Sequence, residues 1–274
     1  MDIRLVAVDL DGTLLKSDKS ISGQTVRAIR RASQAGVEIA FCTGRQMSEC
    51  DYIRQALPEV RYAVSCTGAL VEQLRPEKTL FRHTLTADEA RWIYDRLRPF
   101  ESVISFMAGG VVWNDRAAFE RNKASFDEQM RQLFQNEHVI VDELDKVVRK
   151  WRADVDKFYV AYSDGAVRQA AWQALENSGF FLSAAGYVDM EIMSPEADKG
   201  KSLEELTRYL GLRREQVAAI GDSENDLAAL RYAGLSVAMG SGAQILKDEA
   251  DVVAPGNDEN GVAWTLDQIV GGKL

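Results

Sequence analysis

Leu5-Val6-Ala7-Val8-Asp9-Leu10-Asp11-Gly12-Thr13-Leu14 opens the chain with an apolar run that ends in two carboxylates, a glycine and a hydroxyl. The run shows no alternation, the pattern of a strand buried on both faces of a parallel sheet. Open α/β sheets bind ligands at the carboxyl ends of their strands, and that is where Asp9 and Asp11 stand. Two apart in an extended chain, they point to the same side. Burying two like charges together calls for a cation or another positive group. Taken alone, the residues fit equally well an ordinary strand end with Asp-Gly as its turn.

Outward from this stretch, Ser22 is a cap for a helix over 24–34 that Gly36 stops. A second buried strand, 37–42, ends in Thr43-Gly44-Arg45. A helix over 47–56 closes at Pro58, and a third strand, 62–65, ends in Cys66-Thr67-Gly68. Strand and helix alternate, which predicts right-handed βαβ units and a parallel sheet. After about Leu80 the pattern changes. Thr86 caps a helix over 88–97, and Ala108-Gly109-Gly110 joins strands 102–107 and 111–113 as a hairpin. A charged helical stretch covers 117–134, followed by strand 158–162, helix 167–177 and strand 187–193. Trp92, Trp113, Trp151 and Trp172, with Phe106 and Phe158, are expected to be this module's core.

The alternation then returns, with helix 201–209, strand 216–220 ending in Gly221-Asp222, and helix 224–233. Strand 235–239, helix 244–248, strand 252–253 and helix 261–269 complete it. The expected fold is α/β, a Rossmann-like parallel-sheet core from 1–81 and 196–274. It is interrupted by an inserted α+β cap domain over 82–195.

The formal net charge of −9 over 274 residues argues against nucleic acid or an anionic membrane as partner. No apolar run is long enough to cross a bilayer. No leader is expected either, because the first strand begins at once, and a cytoplasmic location is the expectation. Cys42, Cys50 and Cys66 are too few and too scattered for a disulfide framework or a zinc site. His83 and His138 lack ligand spacing and read as surface or structural residues.

A second acidic group, Gly221-Asp222-Ser223-Glu224-Asn225-Asp226, also ends a buried strand. Asp222 and Asp226 share a face if a helix begins near Ser223. Alone they would read as an acidic helix start. With Asp9 and Asp11 at another strand end they make an oxygen-rich site suited to Mg²⁺, with no His or Cys to favour zinc.

Asp9-Leu10-Asp11-Gly12-Thr13, Thr43-Gly44-Arg45, Lys199 in Asp198-Lys199-Gly200, and Gly221-Asp222 through Asp226 resemble the four motifs of the haloacid-dehalogenase-like phosphatases, in the right order. The large insertion between the second and third motifs resembles the Cof-type subgroup. So does a tail of Val237-Ala238-Met239-Gly240 and Asn257 to Gly261-Val262-Ala263. The resemblance implies a Mg²⁺-dependent phosphatase acting on a small phosphorylated metabolite, such as a sugar phosphate or phosphorylated cofactor.

By resemblance, Asp9 is the nucleophile that forms an aspartyl-phosphate, and Asp11 the general acid/base. The metal set implied is Asp9, the carbonyl of Asp11, Asp222 and Asp226, the last through water or directly. Thr43 and the amides of Leu10 and Gly44 would hold phosphoryl oxygens. Lys199 would supply positive charge, and Asn225 would bond phosphate or fix Lys199. Arg45 is a substrate or cap contact by the same resemblance, with a surface ion pair as the competing reading. Ser183, Tyr187 and Asp189 lie in the segment that relatives turn toward substrate. Gly240-Ser241-Gly242 reads as a tight turn rather than a phosphate cradle.

Two departures stand out. Thr67-Gly68 replaces the subgroup's Asn-Gly, and Ser241 stands where an asparagine is usual. The alternatives are a phosphomutase or phosphoryl transferase of the same superfamily, and a phospho-accepting receiver-like regulatory protein. Against a receiver stand the insertion and the second Asp, which supplies turnover.

Overall fold

The computed structural model describes residues 2–125, 128, 131, 134, 135, 138–184 and 186–274. In chain order the first strands are β1 (Leu5–Val8), β2 (Glu38–Cys42), β3 (Tyr62–Ser65), β4 (Leu70–Leu74) and β5 (Glu77–Arg82). Then come β6 (Ser102–Ala108), β7 (Val111–Asp115), β8 (Val139–Val141), β9 (Lys157–Tyr162), β10 (Phe181–Ser183) and β11 (Asp189–Met193). The last are β12 (Val217–Gly221), β13 (Leu235–Met239) and β14 (Val252–Ala254). The described residues cluster into two compact units. One comprises Met1–Arg45, Cys50–Arg82 and Asp198–Leu274, the other Gln46–Glu49 and His83–Ala197.

In the first unit the sheet order is β14-β13-β12-β1-β2-β3-β4-β5. From β14 to β3 every pairing is parallel, with Val8 opposite both Ile220 and Phe41. One residue further along lie Asp9, Gly221 and Cys42, so the register itself brings three motif-bearing strand ends level. All four residues of β1 are buried, Leu5, Val6 and Val8 each worth roughly 1.5–3 kcal/mol of transfer free energy. Leu5 and Ala7 pack with Ala40, Leu203, Leu206 and Leu230. Ser22 caps helix Gly23–Gln34, accepting from the Thr25 amide. That helix packs against Gly261–Val270, with Arg31 and Asp267 paired at 2.6 Å.

The parallel alternation does not run to the edge. β3–β4 and β4–β5 are antiparallel, a hairpin absent from the sequence reading. Its outer strand is mostly exposed, so its residues lack the apolar run of a covered strand. The expected helix over 47–56 also breaks, into a 3₁₀ turn (Met47–Cys50) and a short α-helix (Asp51–Ala56). Glu49 turns back to accept the Gln46 amide at 2.8 Å, closing a tighter turn.

The second unit is a six-stranded sheet, β10-β11-β9-β6-β7-β8. Helices Ala87–Leu97, Leu144–Lys150 and Gly165–Leu175 contribute to a core that includes Phe106, Phe158, Val160 and Ile192. Thr86 and Glu89 form the reciprocal cap of the first of these helices. Trp113, Trp151 and Trp172 pack at the border of this core. Trp92 corrects the expectation: it is 37% exposed, with the Arg96 guanidinium over its ring and Phe180 beside it. Helix Arg116–Asn122 begins the expected 117–134 helix, whose continuation lies partly outside the described residues. Strand 187–193 starts at Asp189.

His138 has a structural role in the second unit. Asn114 donates its amide hydrogens to Ile104 O and Ser105 Oγ, which turns its Oδ1 toward His138 Nδ1 at 2.8 Å. The other ring nitrogen faces Glu49 Oε1 at 2.9 Å, and both side chains are buried. His138→Ala removes the ring that bridges Glu49 Oε1 and Asn114 Oδ1, so a loss of about 1–3 kcal/mol is expected. A shift of the urea midpoint at constant slope measures it; a wild-type midpoint contradicts it.

Candidate active site

Asp9, Leu10 and Asp11 emerge from β1 into a turn that Gly12 makes possible. Gly12 has φ +79°, and a β-carbon there would lie 2.3 Å from Asp222 Oδ2. Only glycine fits both the backbone and the space. The turn brings Thr13 Oγ1 to donate to Asp222 Oδ1 at 2.9 Å. Asp222 thus leaves β12 already oriented by the first motif.

Lys199 comes from the first turn of helix Lys199–Tyr209, where the Asp198 carboxylate accepts from the Gly200 and Lys201 amides. Its side chain has no solvent exposure, and Nζ donates to Asp226 Oδ1 (2.6 Å), Asp9 Oδ1 (3.0 Å) and Asn225 Oδ1 (3.3 Å). Ligand oxygens of Asp9, Asp222 and Asp226 lie within 4.8 Å of one another. Burial works against the Lys199 charge, but Asp226 and Asp9 outweigh it and hold its pKa well above the usual lysine value. Burial, reinforced by Asp226, drives the Asp9 pKa well above the carboxylate range. The same causes push Asp222 up to about 6.

One ammonium against three carboxylates leaves surplus negative charge. An all-oxygen donor set with that surplus fits a hard divalent cation such as Mg²⁺.

The helical-face argument for Asp222 and Asp226 does not hold. Glu224–Asp226 is a 3₁₀ turn and the α-helix begins at Leu227. Asp226 instead folds back, its Oδ2 accepting from the Asp222 and Ser223 amides at 3.0 and 3.1 Å. With Oδ1 on Lys199, both its oxygens are engaged, so it braces the group from behind. Asn225 is held by Ser223 Oγ (2.8 Å) and meets Lys199 rather than standing apart.

Thr43 is buried at the end of β2, and its Oγ1 accepts from the Arg45 amide at 3.1 Å. Gly44 lies between them. Arg45 grips Asp11 with Nε (2.7 Å to Oδ2) and Nη2 (2.7 Å to Oδ1), a fork-on-carboxylate pair. Lys19 adds a third donor to Oδ1 at 2.8 Å. Burial alone would raise the Asp11 pKa, but Arg45 and then Lys19 outweigh it and hold the carboxyl well below its usual range. The Asp11 carboxylate is not part of the three-carboxylate group.

Two participants escaped the sequence reading. Thr13 sits in the opening stretch as a hydroxyl without an assigned partner. Lys19 carries no local signal; it stands at φ +62° on a turn that Asp258 secures by accepting from Ser17 N and Oγ. Gly240-Ser241-Gly242 is a turn packed on the Asp222 backbone, where a β-carbon on Gly242 would lie 2.6 Å from Asp222 O.

Ser183 and Tyr187 belong to the second unit. Ser183 is buried at the end of β10, whereas Tyr187 is 83% exposed with its ring against Gly165.

A family model described as haloacid dehalogenase-like hydrolase matches residues 6–266. Among curated relatives, Phosphatase YwpJ of Bacillus subtilis is 29% identical over 297 residues, covering 98% of this chain and 100% of the relative. The 5-amino-6-(5-phospho-D-ribitylamino)uracil phosphatase YcsE of the same organism is 29% identical over 269 residues, 97% of this chain and 95% of the relative. A solved haloacid dehalogenase-like hydrolase from B. subtilis matches at a TM-score of 0.87 and 25% identity, covering 97% of this chain and 99% of that one. Since the family match runs through nearly all of the sequence, the chain belongs to the haloacid dehalogenase-like hydrolases.

Proposed function

We propose that the protein is a phosphoric monoester hydrolase that uses Mg²⁺ and an aspartyl-phosphate formed on Asp9. The observation that carries this reading is the Lys199 ammonium 3.0 Å from Asp9 in the three-carboxylate group at the sheet edge. Asp9 attacks phosphorus through the oxygen that Lys199 does not hold, and the ester oxygen leaves with a proton from Asp11, which can carry one only after substrate draws away the Arg45 and Lys19 donors that keep its carboxyl ionised here. Water then attacks the phosphoryl group, giving its proton back to Asp11 and freeing Asp9. Lys199, the Thr43 hydroxyl and the amides of Leu10 and Gly44 stabilise charge on the phosphoryl oxygens as it moves. Asp9, Asp222 and the Asp11 carbonyl would hold the cation, with Asp226 behind them. When bound, it neutralises charge between nucleophile and phosphate.

The substrate proposed is a small phosphomonoester on a polyol or cofactor alcohol, in line with a relative named for a phosphoribityl compound. Residues 82–195 are proposed as the cap that selects the alcohol, with Ser183 and Tyr187 as candidate contacts.

The test is phosphate release from 4-nitrophenyl phosphate with and without Mg²⁺ between pH 5 and 8. Activity should require Mg²⁺. Asp222 must be ionised to bind a cation, so Mg²⁺ affinity should fall as pH drops through about 6. The metal-free protein should behave oppositely. With its folded pKa raised, Asp222 contributes stability that is fully present below its unfolded pKa and lost as pH rises through about 6. Thermal midpoints with and without Mg²⁺ at pH 5 and 7.5 should therefore diverge at the higher pH. Metal-independent hydrolysis would sink the reading.

A further inference from the structure

We infer that the buried turn Cys66-Thr67-Gly68 positions the catalytic lysine and the phosphate-holding loop together, with Gly68 and Ser202 as its positioning residues. The inference rests on the function proposed above and goes beyond it. The residues after β3 run through three consecutive left-handed conformations, with φ of +49°, +57° and +96°. L-residues avoid this region, and a β-branched threonine avoids it most. All three are buried, so no loop freedom at the surface accounts for the conformation. Strain of this kind persists only where the surroundings over-determine it, and it gathers at working sites.

Two of the turn's neighbours each carry a motif. On one side the Cys66 amide donates to Arg45 O at 2.9 Å and the Thr67 amide to Thr43 O at 3.0 Å. The loop bearing the Thr43 hydroxyl and the Arg45 clamp is thereby held by its backbone. On the other side Ser202 Oγ, one turn beyond Lys199 on the same helix, donates to Gly68 O at 2.7 Å. A β-carbon on Gly68 would stand 2.4 to 2.7 Å from the backbone of Asp198, the residue that caps this helix. Backbone cannot yield there as a flexible side-chain end would. A methyl at position 68 must push 198–199, and with them the ammonium that bonds Asp9 and Asp226.

The opposing surfaces are so close that the turn acts as a spacer of fixed thickness. It sets the Lys199 helix against the Thr43 loop through hydrogen bonds to both. The Cys66 and Thr67 amides bond the Thr43 loop while the Gly68 carbonyl accepts from the Lys199 helix, so one turn ties both motifs.

The experiment compares Gly68→Ala, Ser202→Ala and the double variant with wild type on 4-nitrophenyl phosphate in Mg²⁺, beside ¹⁵N spectra of the Lys199 ammonium. Misplacing a catalytic group by about 1 Å costs on the order of 100-fold. Gly68→Ala should lower kcat by about that factor and Ser202→Ala by about 10-fold, with KM within about twofold, because Lys199 acts on the transferring group. The double variant should be no worse than Gly68→Ala alone, since both disturb one joint. The Lys199 resonance should shift in both single variants. Should Gly68→Ala fail to fold, Ser202→Ala decides. A wild-type kcat and an unmoved resonance in Ser202→Ala overturn the inference, as do losses confined to KM or multiplying in the double variant. The spectra report on position without any turnover. If wild type shows no Asp9-dependent hydrolysis, the proposed function falls while the positioning claim is still decided by the Lys199 resonance.

Discussion

Replacing Lys199 with methionine is expected to cost the fold about 3–5 kcal/mol and to lower kcat by roughly 10²–10³-fold. Methionine keeps the stem and removes the charge. The ammonium is fully buried and is the cation shared by Asp9 and Asp226. Without it, those two carboxylates face Asp222 having lost the ammonium they share, and an unpaired buried charge is far costlier than the pair it came from. The sign with pH follows. Asp9 and Asp222 already have raised pKa values, through burial first and Asp226 next, and losing Lys199 raises them further. Below their pKa the carboxyls are neutral and need no partner. The destabilisation should be largest near pH 8 and shrink on acidification toward pH 5. Urea unfolding of both proteins across that range checks it, and a pH-independent gap would contradict the charge argument. Added Mg²⁺ should recover part of the stability but not the activity, because the phosphoryl oxygens still lack the ammonium.

The parts of this site written in contiguous sequence were legible, and the parts made by packing were not. Asp9 and Asp11 follow an unbroken apolar run, and Thr43 and Asp222 end runs of the same kind, so strand ends could be read from burial alone. The parallel core was legible for the same reason, since strands covered on both faces lose alternation. The hairpin of β4 and β5 was not, because an edge strand open to water carries Glu77-Lys78-Thr79 without an apolar pattern. Asp226 was read as a helical neighbour of Asp222. Its actual turn back onto the Asp222 and Ser223 amides depends on a 3₁₀ geometry that four-residue spacing does not specify. Lys19 reaches Asp11 from a turn that Asp258, more than two hundred residues away in sequence, helps to secure. Trp92 shows the converse error: large apolar residues are not always inside, and a guanidinium stacked on the ring covers part of what the core does not.

Asp9→Asn is expected to abolish turnover, by at least ~10³-fold, while raising the stability of the metal-free protein. The two effects have one origin. Asparagine occupies the same volume but offers phosphorus no anionic oxygen, so no aspartyl-phosphate forms and the covalent route is closed. Asp9 is also the group that burial, Asp226 and Asp222 all disfavour in its charged form, with Lys199 opposing them. An amide removes one of three crowded carboxylates and leaves Lys199 its 2.6 Å bond to Asp226. Its oxygen can still accept from Nζ. The ammonium is thus kept satisfied while the repulsion falls, the reverse of the Lys199 variant, where both activity and stability drop. Such a gain in stability on removing a catalytic charge is the expected mark of a residue held for chemistry rather than for the fold. Thermal midpoints without metal, set beside phosphate release with Mg²⁺, test both halves together. Activity equal to wild type would remove Asp9 as nucleophile. A lower metal-free midpoint would mean that the Asp9–Lys199 contact outweighs the crowding of the three carboxylates.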